Sequence, residues 1–300
     1  MADAAAGPLE LAEERPQRLD LRLPRIDGGR VLSYGVLLLG AAISLVPFLW
    51  MISTSLMSLG EATGGRLVPS VLHFENYAEA WTTAKFSRYL VNSVLITVIT
   101  LGGELTVSVM AAYAFARLEF PGKNLIFATL LSSMMIPGMV TMIPNLLTVT
   151  WLGRVGPIPW IDNWPSLTIP FMGSVFSVFL LRQFFAQIPD ELFDAAKIDG
   201  AGHWRILRQL VLPLSTAPVM VIVVLSFIGT WNALAWPLLV TNTDKWLPIA
   251  VGLYNFVEDG GSQMHLIMAG SFITIIPILI LYFLTQRQFT ESIARSGLKG

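Results

Sequence analysis

Apolar residues in this chain gather in six long runs, at 32–55, 90–114, 124–148, 165–185, 214–240 and 264–286, with charged residues, Glu104 and Arg182 apart, confined to the stretches outside them. A helix needs about 20 apolar residues to cross the hydrocarbon core of a bilayer, and each run is long enough. One such run is compatible with a buried helix of a soluble domain; six are not. The pattern predicts an all-α membrane protein with six transmembrane helices. The apolar core of the first run, from Val31 to Ile52, exceeds the h-region of a signal peptide and follows a long polar stretch, so it reads as a retained signal-anchor span. Three parts are expected: a flexible leader over 1–30 rich in Ala, Glu, Arg and Pro, a six-span domain over 31–290, and a short tail over 291–300.

Composition supports this. The 300 residues are 54% hydrophobic and 13% charged, against about 25% charged in a soluble domain. The net charge of −1, from 19 basic and 20 acidic residues, gives no reason to expect a nucleic-acid partner. With no cysteine, disulfides, thiolate catalysis and Cys-based metal sites are excluded. Basic residues also set an orientation. Six spans leave both termini and the loops after spans two and four on one side, and that side holds 14 of the 19 Lys and Arg. By the positive-inside rule it faces the cytoplasm.

One of these loops is unusually ordered. In DELFDAAKIDGAGHWRILRQLVLPL (190–214), Asp190 is placed to cap a helix that carries Leu192, Ala195, Ala196 and Asp199 on one face, with Phe193 at its edge. Gly200 allows a sharp reversal. A second short helix from about Gly202 carries Trp204, Leu207 and Leu210, and Leu212-Pro213 is expected to break the chain before span five. Two short helices on the membrane surface result, exposing a small-residue patch of Ala195, Ala196, Gly200 and Ala201. Periodicity alone leaves open a solvated loop, an interfacial helix or a partner-docking helix.

The same segment resembles the EAA loop of ABC-importer permeases: Glu-Ala-Ala, three residues, Gly, nine residues, Ile, one residue, Leu-Pro. Here Asp194-Ala195-Ala196, Gly200, Leu210 and Leu212-Pro213 keep that spacing, with Asp for Glu and Leu for Ile. The segments FENYAEAW (74–81), AYAFARLEFPGK (112–123), IDGA (198–201), Trp231-Asn232 and the terminal SGLKG (296–300) extend the likeness to MalG-like permease subunits of carbohydrate importers. The resemblance implies a type I ABC importer permease fold in a prokaryotic cytoplasmic membrane. It also implies a second homologous permease chain, a cytoplasmic ABC ATPase dimer and an extracytoplasmic solute-binding protein, besides the surrounding lipid. The 188–213 segment would be the coupling loop, with Asp194, Ala195, Ala196, Asp199, Gly200 and Ala201 docking the ATPase. By the same resemblance, the loop over 242–264 reaches into the docked binding protein, with its Gly260-Gly261-Ser262 turn making it adaptable.

Other chemistries find little support. There is no GxxxxGK[ST] sequence to cradle a nucleotide, so no cofactor is expected on this chain, and ATP and Mg belong to the partner ATPase. His73, His203 and His265 are isolated in sequence and form no metal-ligand pattern; no metal or catalytic residue is expected. The rival reading is an ion-coupled secondary transporter, for which the one acid within the spans, Glu104, would be the proton or ion site. Glu104 and, from the resemblance, Trp231 and Asn232 are the pathway candidates. Prolines 137, 144, 170, 218 and 237 fall in spans three to five, where they kink helices that line a cavity or simply pack. The spans hold no Lys or Arg away from their ends, which together with the resemblance implies a neutral sugar, oligosaccharide or polyol, with glycerol-phosphate-type solutes as the alternative.

Overall fold

The computed structural model describes residues 28–260 and 263–297, with side chains over 29, 31–257 and 263–286. Nearly all of the expected leader, the Gly261-Ser262 pair and the last three residues of the expected tail lie outside the described residues. Among those described, every regular element is helical. The helices are α1 (Gly28–Ser55), α2 (Leu59–Thr63), α3 (Glu75–Thr83), α4 (Phe86–Arg117), α5 (Lys123–Ser133), α6 (Gly138–Val155), α7 (Trp164–Thr168), α8 (Val175–Ala186), α9 (Asp190–Ile198), α10 (His203–Ile206), α11 (Leu212–Leu214), α12 (Thr216–Trp231), α13 (Ala235–Val240), α14 (Ile249–Gly260) and α15 (Met264–Gly297). Two compact units are present, Met1–Phe48 and Leu49–Gly300. In the first, the apolar side chains of α1 from Val31 to Val46 are exposed, as suits a span whose solvent is hydrocarbon.

Four spans are unbroken or nearly so: Val31–Ser55, Phe86–Arg117, Trp164–Ala186 and Met264–Gln286. The other two expected spans are not straight helices. The third run splits into α5 and α6, bent by 102°. Pro137 precedes α6, cannot donate a backbone hydrogen bond, and holds the residue before it out of the helical region. The fifth run is likewise interrupted: α12 stops at Trp231 and α13 starts at Ala235. Pro237 sits in the first turn of α13, where a missing N–H costs nothing. The break expected at Leu212-Pro213 falls instead at Ser215, with an 80° bend between His203–Leu214 and Thr216–Trp231. A π-helical stretch, Leu207–Val211, carries the chain into Pro213 without a stop. Pro218 then occupies the first turn of α12.

Within the second unit α4 is the central helix. Its buried side includes Ser93, Thr97, Thr100, Glu104 and Ser108, at helical steps of three and four. Small polar side chains let membrane helices approach closely, and α7, α8 and α12 all pack on α4. Among the described residues, the hydroxyls of Thr97, Thr100 and Ser108 have no partner. Toward one end, Phe86, Tyr89, Trp231, Leu266 and Ala269 form a core; toward the other, Tyr113, Phe185, Phe193, Leu207 and Val211 form a second.

The segment expected to be an adaptable loop over 242–264 is largely structured. α14 covers Ile249–Gly260, and Leu247, Ile249, Val251 and Phe256 are buried. Asn92 donates to the carbonyls of Lys245 (3.1 Å) and Leu247 (3.0 Å), and the Ile249 amide donates to Ser93 Oγ (2.7 Å). Asp162 accepts from the Asn242 and Thr243 amides and from the Thr243 hydroxyl. These side chains satisfy backbone groups that a free loop would offer to water.

Candidate functional site

Two regions hold the candidate residues. The first is α9 with the turn that follows. Asp190 is not the cap: Pro189 holds that position, and Asp190, one residue into the helix, pairs with Arg117 at the end of α4. The Arg117 guanidinium also donates to the carbonyls of Phe185 and Ile188 and lies 4.0 Å from the centre of the Phe193 ring. Phe193, not Leu192, is the buried anchor: Phe193 is 5% exposed and Leu192 41%. Ala196 and Ala201 are half-buried against the same core, whereas Asp194, Ala195, Asp199 and Gly200 are exposed. The small-residue patch is therefore split between an inner and an outer face.

The turn is fixed by its hydrogen bonds. Gly200 has φ +74°, its amide donates to the Lys197 carbonyl, and the Ala201 amide donates to the Ala196 carbonyl. This is the Schellman arrangement, which puts glycine in the left-handed region. Beyond it, His203 Nδ1 lies 3.1 Å from the Tyr113 hydroxyl of α4, and the Trp204 side chain is exposed. His73 lies 2.6 Å from Glu75, so neither histidine stands in a ligand cluster.

The second region is a cavity of about 390 Å³ walled by α4, the 169–174 segment, α12 and α13. Glu104 lines it and is 5% exposed; its Oε1 accepts from Ser177 Oγ at 2.7 Å. The other two pathway candidates do not line it. Trp231 is 2% exposed, stacks on Phe227 and donates to the Thr274 carbonyl at 3.0 Å. Asn232 is exposed and folds back on the Ile228 carbonyl. Their neighbours Thr230 and Ala233 face the cavity instead, with Thr100, Phe171 and Trp236. The signal for Thr100 was in the sequence, in the polar residues spaced three and four apart through α4. Phe171 and Trp236 had none, because they meet only in the folded chain, rings edge to face at 5.8 Å.

Residues 104–290 match the family of binding-protein-dependent transport system inner membrane components. That is more than half of the chain, and the chain belongs to this family. It is 32% identical over 271 residues to the diacetylchitobiose uptake system permease protein NgcG of Streptomyces coelicolor, covering 89% of this chain and 88% of that protein. It is 34% identical over 264 residues to the trehalose transport system permease protein SugB of Mycobacterium tuberculosis, covering 86% and 93%. It is 32% identical over 238 residues to the sn-glycerol-3-phosphate transport system permease protein UgpE of Yersinia pestis, covering 77% and 83%. The fold matches a chain of a bacterial ABC transporter that imports alginate, with a TM-score of 0.77 at 24% identity over 86% of this chain and 95% of that one. The chain is thus a permease subunit of an ABC importer, an inner-membrane component and not an enzyme. The ion-coupled alternative built on Glu104 falls with that membership.

Proposed function

We propose that this permease, paired with a second homologous permease chain, forms the membrane pathway of an importer for a neutral sugar, oligosaccharide or polyol. A solute-binding protein delivers the solute on the extracytoplasmic side. Both termini and the α9 turn face the cytoplasm, where α9 docks on an ABC ATPase dimer that binds ATP and Mg; this chain binds neither. Closure of the ATPase dimer pushes α9 and rotates the spans attached to it.

The observation that carries the coupling role is the division of α9 into two faces. Its inner face is tied to α4 through Phe193 and Arg117, so a force on the helix reaches the bundle. Its outer face carries Asp194, Ala195 and Asp199, exposed and short enough for close approach. Ala195→Trp adds a large side chain to that outer face without touching the core. The expected result is correct membrane insertion with loss of ATPase co-purification or of transport; wild-type levels of both would defeat the docking assignment. For the solute, the trehalose and diacetylchitobiose permeases among the relatives favour a sugar. The glycerol-phosphate permeases among the relatives point the other way, and uptake assays with the three compounds decide between them.

A further inference from the structure

We infer that the cavity beside Glu104 is a solute subsite belonging to this chain, which takes one neutral sugar ring through Thr100 and Glu104 on one side and Phe171 and Trp236 on the other. The inference rests on the sugar-import reading. Thr100 and Glu104 lie near the middle of the 32-residue helix α4, so the cavity sits at mid-depth of the membrane, on the route a solute must take. Its volume of about 390 Å³ is at the small end of the roughly 300–1,000 Å³ typical of ligand pockets. That admits one ring of an oligosaccharide at a time.

The chemistry of the wall selects the ligand. Thr100 is 1% exposed and its hydroxyl has no partner among the described residues. Thr97 and Ser108 share that condition, but of the three only Thr100 lines the cavity. Ser177 hydrogen-bonds Oε1 of Glu104; among the described residues Oε2 has no partner. An unpaired buried hydroxyl such as that of Thr100 is costly, and Oε2 of Glu104 opens to the cavity, so a ligand bringing hydroxyl groups partners both. The Trp236 indole N–H is already spent on the Ser166 carbonyl at 2.8 Å. Its ring, crossed edge to face by Phe171, is left as an apolar wall for the C–H face of a sugar. No Lys or Arg lines the cavity and its one ionisable group is an acid, so a phosphate or carboxylate would find no counter-charge there. A purely apolar ligand would leave the Thr100 hydroxyl and Oε2 of Glu104 without partners. Aromatic plane, hydroxyl and carboxyl together fit a neutral polyhydroxylated ring.

The chain's lack of cysteine provides a direct test. Gly173 lines the cavity, is exposed, and a Cβ built on it meets nothing within 4 Å, so Gly173→Cys introduces one thiol at the wall. In the assembled transporter, reconstituted with its binding protein and ATP, maleimide labelling of that variant is followed against a panel of neutral di- and trisaccharides beginning with trehalose and diacetylchitobiose, and against sn-glycerol 3-phosphate. A sugar that is transported should slow labelling about tenfold. Glu104→Gln or Thr100→Val should abolish the protection and lower the sugar moved per ATP hydrolysed about tenfold, while Thr100→Ser, which keeps the hydroxyl, should retain both. Sugar transport with labelling that sugar does not slow, or with protection that survives both substitutions, overturns the subsite and leaves the sugar-import reading standing. Transport of glycerol phosphate and of no sugar overturns both.

Discussion

The α9 turn and the 241–260 segment are both connections between spans, and they are held in opposite ways. α9 is tied down along one side only, by Arg117 and Phe193, and leaves its other side open. The 241–260 segment is tied from several directions: Asp162 holds its start, Asn92 and Ser93 its middle, and Lys85 pairs with Asp244 at 2.7 Å. Its helix α14 then packs on α4 so closely that a Cβ on Gly252 would lie 2.2 Å from the Tyr89 ring. A helix anchored on one face can pass force to the bundle while remaining available to a partner. A segment anchored from several sides moves with the bundle as part of it. The difference predicts that damage to α9's single anchor is felt at the partner, whereas damage to any one clamp of the other segment is felt locally.

Arg117→Ala is the largest way to break this contrast. The substitution removes the guanidinium's hydrogen bonds to the carbonyls of Phe185 and Ile188 and the cation above Phe193. Lost hydrogen bonds to a charged group and a lost cation–π contact together come to about 3 kcal/mol. Thermal unfolding of the purified complex should show that loss, and hydrogen exchange over 190–200 should rise sharply. ATPase co-purification should fall in parallel; full retention would mean that α9 does not depend on its inner anchor.

Gly252→Val tests the other side of the comparison and should cost less. The side chain enters the space of a rigid aromatic ring, and overpacking of this kind typically costs about 1–3 kcal/mol. The other clamps should keep the 241–248 stretch in place, so the effect should appear as faster exchange in α14 and reduced thermal stability, with ATPase co-purification unchanged. Parallel loss of both would show that the two ends are not energetically separate.

These two regions also differ in how much of them the sequence reveals. α9 is legible because everything that makes it a helix lies within ten residues: the apolar spacing, the charges, and Gly200 in the left-handed region. Which of its faces turns inward is not legible, because nine residues define a periodicity only to within a position, and the choice of Phe193 over Leu192 depends on Arg117, more than seventy residues earlier. The clamps on 241–248 join residues 80 to 159 apart in sequence, and no local pattern marks Asn92 or Asp162 as their source. Hydropathy found the spans because transfer into hydrocarbon sums over whole segments. It could not see where the third and fifth runs divide, since a proline in a helix's first turn, such as Pro218 or Pro237, and one at a break, such as Pro137, have the same composition around them. Trp231 and Thr230 show the same limit at the cavity: adjacent residues point about 100° apart around α12, one into the core and one to the cavity, and only the packing of α15 decides which side faces the core.

The smallest effect is expected at the Lys85–Asp244 pair, the most exposed of the clamps. The hydrogen bond from Lys85, then its charge, holds the Asp244 carboxyl below the usual carboxylate range. At Asp162 burial pushes the carboxyl up, but the Thr243 hydroxyl and the Thr243 and Asn242 amides outweigh it, and the net shift is also downward. A carboxyl whose folded pKa is depressed contributes fully above its unfolded value, near 3.9, and loses that contribution as pH falls toward the folded value. Exchange at the amides of 243–247 should therefore be flat from pH 7 down to about 4, once corrected for the intrinsic pH dependence of exchange, and protection should weaken below that. Asp244→Asn should remove part of the acid-induced loosening, the part that Asp162 does not supply, while leaving protection at neutral pH only slightly reduced because Asn92 and Ser93 still hold the segment. A large loss of protection at pH 7 in this variant would mean that the segment hangs on one surface ion pair, and the contrast with α9 would fail.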